Sequence, residues 1–236
     1  MLQFAVSLAL LGVVLGAPTN NSITANWVVL KLISSTIHGN WLFCTFPQHF
    51  CGAVEIHPEW ALTAAHCLEG VLVENLAVRA GSTTRSFGGQ VVDVRRTYIH
   101  PEFSIRTLDY DYALLELAES ISIQTASAVA LPEPNAPVPD GSVAVISGWG
   151  TLSSEGVVPE ILQVVEVPVV GYETCQRLYT NLEITDRMFC AGDIVNGGKD
   201  ACRGDAGGPV VVSGRLAGLI SWGIWMRSGP VPWSTC

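Results

Sequence analysis

Apolar positions recur in short β-rich runs separated by turn residues. The runs cover 27–30, 52–56, 76–79, 90–94, 113–117, 143–146, 162–167, 209–212 and 216–220, and valine, leucine and isoleucine dominate them. Runs of this length and spacing, broken by Gly, Pro, Asn and Asp, predict antiparallel strands of a barrel or sandwich. Helical periodicity is confined to 172–179. A proline-rich stretch over 131–141 interrupts the strands near the middle and reads as the connection between two halves.

Residues 2–15 form an apolar run too short to span a bilayer, followed by the small residues Gly16 and Ala17. The run reads as a secretory leader over 1–16, with a buried strand as its alternative. No second segment is apolar and long enough to anchor the chain. Secretion implies an oxidising compartment, so the 7 cysteines read as disulfides with one left over. Asn20-Asn21-Ser22 is a glycosylation sequon. A formal net charge of −9 argues against nucleic acid and anionic membrane as partners.

Chemistry concentrates in Gly198-Lys199-Asp200-Ala201-Cys202-Arg203-Gly204-Asp205-Ala206-Gly207-Gly208-Pro209. Glycines at this density let backbone N–H groups approach an anion closely. Upstream, Thr63-Ala64-Ala65-His66-Cys67 sets a histidine beside a cysteine, at a spacing from Cys51 that suits a local bridge. Asp109 and Asp111 stand just ahead of an apolar strand, where a buried carboxylate needs a donor such as an imidazole N–H. Each feature alone has an ordinary structural explanation.

Together they do not. Cys51-Gly52, Thr63-Ala64-Ala65-His66-Cys67, Asp111-Tyr112-Ala113-Leu114-Leu115, Ser147-Gly148-Trp149-Gly150, the 198–209 loop and Ser221-Trp222-Gly223 follow the order and spacing of the trypsin-like serine proteases. The resemblance spans roughly 50–223 and implies an all-β fold of two antiparallel six-stranded barrels with the active site between them. It assigns the domain to 44–236, after the leader and a divergent 17–43 segment. His66 then matches the general base and Asp111, one residue before the Ala-Leu-Leu strand, the carboxylate that orients it. Gly204 and the backbone of Ala206 match the oxyanion hole, and Asp200 the acid at the base of an Arg- or Lys-accepting pocket. Ser221, Trp222 and Gly223 match the strand that pairs with substrate backbone. The resemblance implies polypeptide partners carrying Arg or Lys, pairs Cys51 with Cys67 and Cys175 with Cys190, and implies no cofactor. The histidines His38, His49, His57 and His100 lack metal-ligand spacing.

Three departures matter. Ala206 stands where the family has its nucleophilic serine, and a methyl group cannot attack a carbonyl. The family's Ile-Val-Gly-Gly amino terminus, whose ammonium pairs with the match of Asp205, is absent, so the loop is expected in a zymogen-like arrangement with Asp205 exposed to water. After Gly223 the chain leaves the family pattern and reads as a frameshifted, shortened tail, which truncates the second barrel. That removes the family partner of Cys202; Cys236 is a substitute, and Cys44 has no obvious partner. The sequence therefore points to a secreted trypsin-like homologue, inactive or strongly impaired. The alternatives are an active protease whose sequence carries a substitution, and a non-catalytic binding or regulatory protein.

Overall fold

The computed structural model describes residues 2–7, 40–45, 48–152, 156–180, 182–195 and 201–225. Within it twelve strands form two closed antiparallel barrels. The first is ordered β2 (Asn40–Thr45), β3 (Gln48–His57), β4 (Trp60–Thr63), β7 (Ala113–Leu117), β6 (Gln90–Ile99) and β5 (Leu76–Ala80), and β5 returns to β2. The second is ordered β1 (Leu2–Ser7), β10 (Met188–Ala191), β9 (Gln163–Val170), β8 (Val143–Gly148), β11 (Pro209–Val212) and β12 (Arg215–Trp225). Among the described residues one α-helix, α1 (Tyr172–Leu178), matches the 172–179 expectation.

Burial explains the sequence pattern strand by strand. In β7, Ala113, Leu115 and Leu117 enter the first barrel's core while Leu114 and Glu116 face outward, the period-two signature of a half-buried strand. By contrast, β11 is apolar throughout because both faces are covered. Val210 and Val212 fill the second barrel, and Val211 turns to meet Leu216, Leu219, Val54 and Leu62. The last two belong to the first barrel, so this cluster joins the halves. Burying each such side chain contributes about 1.5–3 kcal/mol relative to leaving it in water.

The expected double barrel is present, with its sixth second-barrel strand from an unexpected source. β1 inserts between β10 and β12, with Phe4 opposite both Ala191 and Gly223. Residues expected in a leader thus form a strand here, and that strand completes the ring of the second barrel. Their alternation of large apolar residues (Leu2, Phe4, Val6) with smaller or polar ones (Gln3, Ala5, Ser7) fits a strand's period. The proposed 27–30 strand, the sequon and the tail after Trp225 lie outside the described residues. β4 and β10, each 4 residues long, were not singled out from sequence. The 131–141 stretch connects β7 to β8, and hence one barrel to the other. No helix among the described residues is long and apolar enough to cross a membrane.

Candidate active site

Strand register brings the first barrel's half of the site together. Thr63 at the end of β4 lies opposite Ala113 at the start of β7, so the turn after one strand meets the residues before the other. That turn is a 3-10 helix, Ala65–Leu68, carrying His66. A disulfide from Cys67 to Cys51 ties it to β3, and the Thr63 hydroxyl donates to the Gly52 carbonyl at 2.8 Å.

Asp111 is fully buried and receives three donors. The His66 backbone N–H donates to Oδ1 at 2.8 Å, the His66 ring Nδ1 lies 2.7 Å from Oδ2, and the Ser221 hydroxyl donates to Oδ2. Since an ionised carboxylate only accepts, this contact places the ring proton on Nδ1 and leaves Nε2 able to accept one. Ser221 comes from β12 of the other barrel, so the pair is held from both sides. The sequence matched Ser221 to substrate binding; its bond to Asp111 carries no local sequence signal.

Asp109, the other acid considered, points elsewhere. Arg187 holds it bidentately and Thr185 donates to it at 2.7 Å. Arg187 lowers the Asp109 carboxyl below its ordinary range, first through this side-chain hydrogen bonding. Neither Arg187 nor Thr185 was singled out from sequence, because the contact joins residues 78 apart in the chain.

The glycine-rich loop supplies the second half. It passes so close to the first barrel that Gly52 N–H donates to the Ala206 carbonyl at 2.7 Å. Gly207 sits at φ 81°, and a Cβ there would overlap the Gly52 carbonyl oxygen and the Thr63 hydroxyl. Glycine is therefore required at 207 by both conformation and space. Ala206 is partly buried against the first barrel's core. Among the described residues, neither the Gly204 nor the Ala206 N–H donates to a backbone carbonyl. Asp200 lies outside the described residues.

Asp205 corrects an expectation. Its carboxylate is turned inward and 9% exposed, rather than facing water in a zymogen-like loop. Gly150 N–H donates to Oδ1 and Cys202 N–H to Oδ2, each at 2.8 Å. A Cβ at Gly148 or Gly150 would overlap this carboxylate, so the glycines make its space. Two charge-stabilising backbone donors favour the inward turn, but desolvation outweighs them and raises the pKa to about 6. Among the described residues no ion pair involves Asp205.

β12 extends past the end of β11, whose pairing stops at Pro209 opposite Leu219. From Trp222 onward β1 occupies one edge, while among the described residues no strand pairs with the other. The Trp222 ring meets Tyr179 edge-on at 5.1 Å, and Gly223 is exposed. Cys175 is bridged to Cys190, and Cys202 is also disulfide-bonded. The trio Cys51, His66 and Cys67 has metal-donor spacing, but both sulfurs are committed to the disulfide.

Comparison with known proteins agrees with this architecture. The trypsin family profile matches residues 19–232. The chain is 40% identical over 230 residues to trypsin of Phaedon cochleariae, covering 94% of this chain and 89% of that one. It is 43% identical over 190 residues to trypsin Blo t 3 of Blomia tropicalis, covering 78% and 71%. It is 38% identical over 178 residues to the vitellin-degrading protease of Bombyx mori, covering 75% and 67%. With its double barrel, this extent of similarity establishes that the chain belongs to the trypsin family of serine proteases.

Proposed function

We propose that this chain is a secreted trypsin-like homologue that binds polypeptides through Arg or Lys and hydrolyses them poorly or not at all. Trypsin-like proteases act on polypeptides, and the His66–Asp111 pair has the geometry of a base with its orienting carboxylate. In such a site Nε2 would take the proton from a serine hydroxyl as it attacks the substrate carbonyl. The N–H groups of Gly204 and Ala206 would hold the resulting oxyanion. The unpaired edge of β12 from Trp222 onward would receive extended substrate backbone, and Asp200 would pair with the Arg or Lys side chain.

One observation carries the reading: the side chain at position 206 is a methyl group, with no atom for His66 to deprotonate. Removing the serine of a comparable triad costs about 10⁶ in turnover. The same cleft can still bind, because Asp111, Ser221 and the loop backbone keep their mutual bonds without an oxygen at 206. The test is an arginyl-amide assay on the full chain and on Ala206→Ser, beside a direct binding measurement with benzamidine, a non-covalent mimic of the arginine side chain. The unaltered chain should bind the amidine without turning over the amide. Ala206→Ser should gain about 10³–10⁶ in turnover. Family-like hydrolysis by the unaltered chain would sink the proposal.

A further inference from the structure

The segment leading into Asp111 is held in a conformation its residues avoid. Leu108 and Tyr110 both adopt φ of 53°, the left-handed region that is sterically poor for bulky side chains. Asp109 lies between them, and its carboxylate reaches the second barrel. Arg187 Nε donates to Oδ1 at 3.0 Å and Nη2 to Oδ2 at 2.7 Å, a fork-to-fork pair. The guanidinium carbon of Arg187 also sits 4.8 Å from the centre of the Tyr110 ring. Tyr110 in turn stacks on His100, with ring centroids 4.6 Å apart and planes within 2°.

Both ends of this clamp are anchored. Arg187 immediately precedes β10, whose Cys190 is bridged to Cys175 in α1. On the other side, Ser104 N–H donates to the Asp109 carbonyl at 3.1 Å, and Tyr112 N–H donates to the Tyr110 carbonyl at 2.8 Å. Strained backbone persists only where its surroundings over-determine it. Here the surroundings are the Arg187 guanidinium and Thr185 hydroxyl on the Asp109 carboxylate, with Tyr110 stacked between Arg187 and His100.

We infer that Arg187 is a positioning residue: by gripping Asp109 from the second barrel, it fixes the left-handed turn over 108–110 and thereby aims the Asp111 carboxylate at His66. An ion pair that only joined the barrels would need neither strained flanking residues nor placement two residues before the buried acid. The inference concerns the alignment of the His66–Asp111 pair, so it stands whether or not position 206 supports hydrolysis.

The test is NMR of the full chain uniformly labelled with nitrogen-15, following the His66 Nδ1–H proton. In Arg187→Met and in the near-isosteric Asp109→Asn, this proton should move upfield and exchange with water about tenfold faster. The Leu115 amide, deep in β7, should keep its protection. Arg187→Lys, which retains the charge and one contact, should recover most of the His66 signal. The Met/Asn double variant should be no worse than either single one. An unchanged His66 proton in both single variants, an equal loss of protection at Leu115, or no recovery with lysine overturns the inference.

Discussion

The two halves of the cleft handle a buried carboxylate in opposite ways. In the first barrel's half, Asp111 meets a side-chain imidazole, a backbone N–H and a hydroxyl, so its charge is matched by donors from both barrels. In the loop half, Asp205 is nearly as deeply buried, and among the described residues it meets two backbone N–H groups. Desolvation wins there and raises its pKa to about 6. Burial alone is therefore no measure of how well a site is assembled; the donor count decides whether the charge is stabilised. By that measure the half that would activate a nucleophile is complete, and the half that would present it carries an uncompensated cost.

Removing the well-matched acid should have the largest effect on folding. Asp111→Ala leaves three donors facing a cavity, and chemical unfolding should show a loss of about 3–5 kcal/mol. A loss below about 1 kcal/mol would mean that the hydrogen bonds do not hold the halves together.

The poorly matched acid should show itself through pH. Its folded value of about 6 lies above the ordinary 3.8, so the folded chain retains a proton that the unfolded chain releases. The resulting stabilisation is complete below about pH 4 and is lost as pH rises through about 6. Two pH units of difference correspond to about 3 kcal/mol less stability above that window than below it. In Asp205→Asn this component of the pH profile should disappear. If the profile of unfolding free energy keeps its slope between pH 4 and 6, another group is responsible.

The smallest effect belongs to a more exposed link between the barrels. Arg85 pairs with Glu160 at 3.2 Å, and the Ser86 N–H also donates to Glu160. Both ion-pair side chains are substantially solvated, so Arg85→Ala should cost less than about 1 kcal/mol. A larger loss in thermal unfolding would give this link a structural weight that its exposure does not predict.

What the sequence made legible follows contact distance along the chain. β7 and β11 were readable because their patterns report their own burial, alternating in one and continuous in the other. His66 and Asp111 were legible only through the resemblance of their motifs to a known family, and their meeting depends on the Thr63–Ala113 register, which no local pattern encodes. The Asp109–Arg187 clamp was invisible for the same reason: each residue by itself is an ordinary surface charge. The inward turn of Asp205 was misjudged because the cost of burying its charge was weighed without the two N–H groups that face it.

β1 guards two strand edges at once. The apolar run over 2–15 contains the strand that fills the gap between β10 and β12. Without it both neighbours would present a bare hydrogen-bonding edge, the kind of surface that captures extended peptides or other copies of the same chain. Six residues at the start of the sequence thus keep the second barrel from being adhesive.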